Sequence, residues 1–342
     1  VVMITGDYPA TAARVAREIG LPAGSSMTGA ELERLDDASL AARLPSVSVF
    51  ARVVPAQKLR LVDALKSLGE VVVMTGDGVN DAPALKAAHI GIAMGGRGTD
   101  VAREAAALVL LDDDFASIVD AVRQGRRIYD NLKKATAYLV AVHVPIAGLA
   151  LLPVLFGWPL LLLPVQIVFL ELIIDPASSI AFEAEPAEPD VMRRPPRSRS
   201  APLVSIATLS LALWRGIGVL AVALAVYAGG LTLGHPVGAA RGAAFAALIV
   251  GNLGLIIAHR SLSHTTLGSL SRRNPVLWWI VVLAAATLLL TLALPGLREF
   301  FHFSGILASD AFLGIGAGVA SLVWLELVDF VRRPSRAELD RP

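Results

Sequence analysis

The second half of this 342-residue chain is dominated by apolar runs, each about as long as a lipid bilayer is thick. A helix needs about 20 predominantly apolar residues to cross the hydrocarbon core. On that criterion we predict an all-α bundle of about six membrane spans at 135–156, 160–182, 203–228, 242–258, 276–294 and 306–331. The composition agrees, because 55% of all residues are hydrophobic. The lipid bilayer is therefore the first expected partner.

Charge is distributed unevenly between these runs. Short basic clusters alternate with basic-poor breaks, as the positive-inside rule requires of a multi-pass protein. This pattern predicts a plasma (inner) membrane protein whose N-terminal part lies in the cytoplasm with the basic loops. The formal net charge is only +1, which gives no electrostatic reason to expect a nucleic-acid partner. Cysteine is absent, so disulfides and thiolate metal sites are excluded.

The first part of the chain alternates short apolar strands with helical patterns. We predict strands at 1–5, 47–51, 71–75, 90–94 and 108–111, and helices at 9–19, 56–68 and 81–88. Asp7 is expected to cap the first of these helices. Apolar strands separated by helices indicate a parallel sheet covered on both faces, which binds ligands at the carboxyl ends of its strands.

The alternating strands and helices of the first part and the long apolar runs of the second predict four regions. They are an α/β domain at 1–125, a stalk at 126–134, a membrane domain at 135–332 and a cytoplasmic tail at 333–342. The opening residues Val1–Thr5 read like a buried strand that has been cut open. We therefore expect the sequence to be a fragment of a longer protein.

The strongest motif is the string Thr75-Gly76-Asp77-Gly78-Val79-Asn80-Asp81-Ala82-Pro83, which follows an apolar strand. Its glycines permit a tight turn beside a ligand. Asp77 offers a hard oxygen ligand for Mg²⁺, Asp81 is close enough to support the metal, and Asn80 can donate to a phosphoryl oxygen. The alternative is an ordinary acidic turn in which Asp81 caps the next helix.

Two further strand ends carry compatible groups. Thr5-Gly6-Asp7 offers a hydroxyl and a backbone amide to phosphoryl oxygens, although Asp7 can equally be a simple helix cap. Lys58 follows Pro55 in the first turn of a predicted helix. A fixed ammonium there can neutralise the charge of a transferring phosphoryl group, although a lone lysine on a helix is usually only solvated.

A hydroxyl, a lysine and an acidic pair in this chain order resemble the haloacid-dehalogenase-type phosphoryl-transfer fold. The string from Thr75 to Leu85 is similar to the hinge signature of P-type ATPases, closest to the calcium-pump-like branch. Three other strings match that family, namely Phe50–Lys58, Ile92-Ala93-Met94-Gly95 and Gly125-Arg126-Arg127-Ile128-Tyr129-Asp130-Asn131.

The resemblance implies a mechanism in which ATP phosphorylates an aspartate with the help of Mg²⁺, and the phosphoenzyme cycle moves a cation across the membrane. It implies that Asp77 binds Mg²⁺ with Asp81 in support, and that four other groups stabilise the phosphoryl group: Lys58, Thr5, Gly6 and Asn80. The Asp-Lys-Thr-Gly motif that carries the reactive aspartate in this family does not occur here. We therefore expect these residues alone to be inactive. A membrane-anchored phosphatase and a non-catalytic membrane protein stay open as alternatives.

Two acids lie inside the second predicted span, where charged groups are costly and usually functional. Glu171 and Asp175 are four residues apart and therefore share one helical face. Pro176 leaves a backbone carbonyl without its helical donor, so carbonyl oxygens can join a cation site. The alternative is a structural pair that is hydrogen-bonded within the bundle. In the calcium-pump branch the resembling positions carry Asn and Asp.

His143 lies in the middle of the first predicted span, at a position where calcium pumps carry an Asn ligand, while Ile146 replaces a Glu. His143 can carry a proton, bind a softer metal or make a helix–helix hydrogen bond. Asn252 is a weaker candidate, whose alternative role is interhelical packing beside Gly251 and Gly254. Glu326 and Asp329 are read as interfacial. Calcium is the branch default for the transported cation, with protons, sodium, manganese and magnesium left open.

Overall fold

The computed structural model describes residues 1–21, 25–198, 201–260, 266–271 and 273–332, with the backbone alone at 173–175, 177, 267, 271 and 332. The tail predicted at 333–342 lies outside the described residues. The chain forms one compact unit over Val1–Ala121 and a second over Val122–Pro342.

The first unit contains two parallel three-stranded sheets in place of the one sheet that the sequence suggested. One sheet has the strand order β1-β3-β2, formed by β1 (Met3–Ile4), β2 (Ser25–Thr28) and β3 (Val47–Ala51). The other has the order β4-β5-β6, formed by β4 (Val73–Gly76), β5 (Ile90–Met94) and β6 (Leu108–Leu110). Strands β1 and β4 are edge strands, and no strand pairing joins them in the described part of the chain. Between them lies a cleft of about 860 Å³.

Six helices of this unit cover the sheets. They are α1 (Pro9–Glu18), α2 (Gly29–Glu33), α3 (Asp37–Arg43), α4 (Pro55–Ser67), α5 (Ala82–Ala87) and α6 (Asp100–Ala105). The expected cap of α1 is wrong, because its N-cap residue is Tyr8 and no side chain caps it. Side chains do cap helices that the sequence analysis missed: Thr28 forms a capping box with Glu31 at α2, and Asp36 caps α3.

The second unit is a helical bundle. Its elements are α7 (Ala116–Leu155, which starts in the first unit), α8 (Pro164–Phe169), a π-helical segment (Leu170–Ile174), α9 (Asp175–Glu183), α10 (Ile206–Thr232), α11 (Val237–His259), α12 (Pro275–Ala293), α13 (Pro295–Phe300) and α14 (Ala308–Arg332). Among the described residues, five helices are long and apolar enough to cross a membrane: α7, α10, α11, α12 and α14. The span expected at 160–182 falls on α8, the π-helical segment and α9.

Helix α11 lies at the centre of this bundle, with 83% of its apolar window buried against 22–39% in the other four long helices. Its Gly and Ala residues let neighbouring helices approach closely. At one end of the bundle Asp329 is buried, where it accepts hydrogen bonds from Arg215 and from the backbone and hydroxyl of Thr266. Asp329 is therefore paired inside the bundle at that end, and its place at the membrane interface stays a prediction.

Candidate functional site

The acidic turn after β4 is built around a buried carboxylate. A short 3₁₀ turn over Val79–Asp81 leads from the strand into α5 and carries Asp81 inward. One oxygen of Asp81 accepts a 2.6 Å hydrogen bond from Lys58 Nζ, and the other accepts a 3.2 Å bond from the Gly78 N–H. A Cβ atom at Gly76 would lie 2.5 Å from Asp81 Cβ, so only glycine fits beside this carboxylate.

Lys58 is held by the start of α4. Pro55 occupies the first turn of this helix, and Gln57 accepts a bond from the Val54 N–H while donating to the carbonyl of Gly29. The side chains of Lys58 and Asp81 are only 18% and 9% exposed, so the pair is largely shielded from water. Two groups that are 23 positions apart in the sequence are thereby joined at the cleft.

The carboxylate of Asp77, unlike that of Asp81, is exposed and therefore available to bind a ligand. Its side chain is exposed, lines the cleft and makes no hydrogen bond within the described residues, while its carbonyl accepts from the Thr99 N–H at 2.8 Å. A free carboxylate beside a fixed ammonium suits Mg²⁺ and a phosphoryl group. The donor set therefore fits the metal through Asp77, although no cluster of three His, Asp or Glu side chains occurs in the described part of the chain.

The remaining predicted groups lie near the cleft but do not line it. Thr5 follows Ile4, which is a lining residue, and its hydroxyl bonds the carboxylate of Asp7 at 3.2 Å. Gly6 is open, since a Cβ atom there would meet nothing within 4 Å. Asn80 is exposed on the turn. Lys58, Asp77 and Asp81 are thus brought together at the cleft, and the other four residues surround it more loosely.

The loop after β5 is fixed by Asp113, which the sequence analysis missed. Its carboxylate accepts hydrogen bonds from the N–H groups of Gly96 at 3.0 Å and Arg97 at 2.8 Å. Burial alone would raise the pKa of Asp113, but these backbone hydrogen bonds and the nearby Arg97 outweigh it and lower the pKa below its ordinary value. Arg97 also lines the cleft, so Asp113 shapes one of its walls.

In the second unit, His143 on α7 faces Glu171 of the π-helical segment. His143 Nδ1 lies 2.7 Å from the carbonyl oxygen of Leu139, and Nε2 lies 3.6 Å from Glu171 Oε1. Both side chains are partly exposed, at 50% and 40%. The side chain of Asp175 lies outside the described residues, so its position relative to this pair stays a prediction.

Asn252 is fully buried on α11, and neither its amide nitrogen nor its amide oxygen has a hydrogen-bond partner in the described part of the chain. Seven positions make about two helical turns, so it shares a face with Phe245 and His259. Phe245 contacts Phe169 of α8, and His259 contacts a tyrosine of α7. Asn252 therefore points towards the helices that carry Glu171 and His143.

A second network, unpredicted from the sequence, binds the segment between α9 and α10 to α7. Lys134 and Glu188 form a fully buried 2.6 Å ion pair, and Arg194 bonds Asp130 at 2.6 Å. Arg126 donates to backbone carbonyls of the same segment at 2.7 and 2.8 Å. The signal in the sequence was the spacing of the three α7 residues, which recur every four positions and therefore share one face.

Glu185, in the same segment, bonds to several other elements of the bundle. It is fully buried and accepts from both Arg260 and Asn274, at 3.2 and 2.6 Å. Its backbone carbonyl accepts from Arg127 and Asn131, each at 2.8 Å. One residue thus joins α7 to the end of α11 and the start of α12.

Comparisons with known proteins match both units. Residues 159–331 match the family model described as cation transporting ATPase, C-terminus, and residues 1–89 match the model of haloacid dehalogenase-like hydrolases. Calcium-transporting ATPases of Listeria monocytogenes and Lactococcus lactis are each 37% identical over 97% of this chain, and one of Bacillus subtilis is 38% identical over 92%. The chain spans only 36–38% of the length of these relatives.

Proposed function

This chain belongs to the P-type cation-transporting ATPases, and on that premise we propose that the whole protein couples phosphorylation of an aspartate by ATP to the movement of a cation across a membrane. The reactive aspartate is absent from the 342 residues at hand. We propose that it is supplied by a part of the protein outside them, and that these residues alone form no phosphoenzyme.

The observation that carries this proposal is the cleft between β1 and β4. Both strands present an unpaired edge in the described part of the chain, and their apolar residues Met3, Ile4 and Met74 line the space. Unpaired strand edges readily accept a further strand. A strand inserted there in parallel would end beside Lys58 and Asp77, where an aspartate at its carboxyl end would meet both groups.

The residues of the cleft then have distinct roles. Asp77 would hold Mg²⁺, which when bound offsets negative charge on the phosphoryl oxygens. Lys58 would neutralise charge on the transferring group, and Asp81 would hold the ammonium in place through its 2.6 Å bond. Thr5, Gly6 and Asn80 would contact phosphoryl oxygens once ATP has reacted, and Asp7 would orient the Thr5 hydroxyl that it binds at 3.2 Å.

The ion would bind among the helices of the second unit. His143 and Glu171 already face each other, Asp175 follows Glu171 by one turn, and Asn252 points towards them with an amide that lacks a partner in the described chain. Ionisable groups at membrane depth usually mark an ion pathway. We also propose that the first unit lies in the cytoplasm and that the bundle spans the plasma membrane, since the basic clusters would then face inward.

The test measures phosphoenzyme formation by the full-length protein from labelled ATP at buffered cation concentrations. Asp77→Asn is expected to lower the phosphoenzyme level at least about tenfold at every cation concentration. Glu171→Gln and Asp175→Asn are expected to raise the half-maximal cation concentration instead. Glu104→Gln, an exposed acid on α6, serves as the control for loss of one carboxylate. Cation-independent phosphorylation in the wild type would refute transport, and full activity of Asp77→Asn would refute the catalytic assignment.

A further inference from the structure

The hydrogen bond of His143 fixes which of its nitrogens can bind a ligand. The carbonyl oxygen of Leu139 can only accept, so Nδ1, at 2.7 Å, must carry the hydrogen. In the neutral imidazole the lone pair then lies on Nε2, the atom that faces Glu171. A hydrogen bond of this kind, from Nδ1 to an oxygen outside the metal site, is how metal-binding histidines are usually oriented.

The distance between the two facing atoms suits a shared cation. Nε2 and Glu171 Oε1 are 3.6 Å apart, which is long for a hydrogen bond. Two ligands that each lie about 2.1 Å from one ion are roughly 3.0–3.5 Å apart, so a small movement lets both bind the same ion. The two atoms are therefore spaced almost as two neighbouring ligands of one metal ion would be.

Further donors lie on the π-helical segment itself and on α11. Glu171 lies in a π-helical segment, a distortion that is frequent at functional sites. Pro176 has no N–H, so a carbonyl four or five residues before it, at Leu172 or Glu171, lacks its helical donor. The amide of Asn252, which has no partner in the described chain, points towards the same helices. Neutral oxygens are thus available to complete a shell begun by a nitrogen and a carboxylate.

We propose that the transported cation is a divalent first-row transition metal, such as Mn²⁺ or Zn²⁺, bound through His143 Nε2 and Glu171. Calcium takes oxygen ligands, whereas imidazole suits borderline transition ions. The chain has no cysteine, so it cannot supply the thiolates that select Cu⁺. This inference rests on the proposed function, because it specifies the ion of the same site.

The experiment compares the full-length wild type with His143→Asn, which replaces the nitrogen ligand by an amide oxygen. Phosphoenzyme formation from labelled ATP is measured against free Mn²⁺, Zn²⁺ and Ca²⁺. The wild type is expected to reach half-maximum at a concentration of Mn²⁺ or Zn²⁺ at least about tenfold lower than of Ca²⁺. His143→Asn is expected to raise the transition-metal requirement at least about tenfold and to change the Ca²⁺ requirement less than about threefold.

His302→Asn is the matched control, since His302 is exposed in the same unit and asparagine tolerates its positive φ of 57°. A second variant, His143→Gln, guards against misfolding of the first. Pulsed electron paramagnetic resonance of bound Mn²⁺ gives a readout separate from turnover: nitrogen coupling is expected in the wild type and absent in both His143 variants.

The outcomes separate the two proposals. A cation-dependent phosphoenzyme that responds to Ca²⁺ at an equal or lower concentration overturns the transition-metal assignment alone. Nitrogen coupling that survives in His143→Asn also overturns it. A phosphoenzyme level that none of the three cations changes overturns the proposed function, and the metal assignment falls with it.

Discussion

Asp81 uses both of its carboxylate oxygens inside the protein, one on Lys58 and one on the Gly78 N–H. Asp77, four positions earlier, leaves its carboxylate free within the described chain. The same residue type therefore has two roles that follow from burial: the buried acid orients an ammonium, and the exposed acid is available to a cation. The motif predicted both acids but not their separate roles, because the sequence does not show which of the two side chains is buried.

Gly76 is the residue on which this division depends. In Gly76→Ala the new Cβ would lie 2.5 Å from Asp81 Cβ, so Asp81 must move away from Lys58. We expect a loss of about 1–3 kcal/mol in the free energy of unfolding, typical of overpacking. Gly78→Ala is the matched control, because its Cβ would lie 3.5 Å from Asp81 Oδ2, an ordinary contact. Thermal unfolding of the detergent-solubilised protein measures both, and equal midpoints would contradict the prediction.

Asp113 makes a pH-dependent contribution to stability. Because its folded-state pKa lies below the unfolded value, the contribution is present above the unfolded pKa of about 3.9 and is lost as pH falls through the folded-state pKa. Asp113→Asn keeps the shape and tolerates the φ of 54°. We expect the variant to be less stable than the wild type at pH 7 and the difference to shrink below about pH 4. Denaturant titrations at both pH values check this, and a difference that does not change with pH would contradict it.

At the scale of elements, hydrophobic pattern predicted those strands and helices that bury a continuous face. The strands at 47–51 and 90–94 agree with β3 and β5, and most other predicted elements are found within three residues of their ends. Strand β2 was not predicted because its sequence, Ser25-Ser26-Met27-Thr28, is mostly polar and lies at the edge of its sheet. Helices α2 and α3 were not predicted because they are short and begin at capping residues, which the hydrophobic pattern does not take into account.

The segment between α9 and α10 shows a second limit of the sequence. Lys134 and Glu188 are 54 positions apart, and neither residue signals its partner. Because the pair is buried, substitution of either residue alone is costly: the charge that is left keeps its desolvation penalty without the attraction that offset it. The pair therefore holds this segment firmly on α7, although the polar sequence of the segment suggests a loosely attached surface loop.

A double-mutant cycle tests that pair. Lys134→Met and Glu188→Leu alone are each expected to destabilise the protein by about 3–5 kcal/mol, since each leaves a buried charge without its ion-pair partner. The double variant is expected to recover most of this loss, because two apolar side chains replace two charges. Thermal unfolding in detergent gives the coupling energy. Single variants that each cost less than about 1 kcal/mol, or a strictly additive double variant, would refute the assignment.

At the scale of the whole molecule, the sequence predicted the fold class: a haloacid-dehalogenase-like α/β region of parallel sheets followed by a helical membrane bundle, confirmed by both family matches. It did not predict the break between β1 and β4, because the apolar pattern of a strand does not show which other strand it pairs with. It also could not place α11 at the centre of the bundle, since all of the long helices are similarly apolar and differ mainly in how they are covered.

The central position of α11 rests on close approach by α14, which gives the last prediction. A Cβ atom at Gly314 would lie 2.2 Å from the carbonyl oxygen of Ala243, whereas one at Gly316 would meet nothing within 4 Å. Lipid offers little hydrophobic drive for helix association, so this contact depends on fit. We expect Gly314→Ala to lower the free energy of unfolding by about 1–3 kcal/mol. Gly316→Ala should be neutral or stabilising by up to about 1 kcal/mol through helix propensity. Unfolding midpoints in detergent that fall equally in both variants would show that the two helices do not pack on this face.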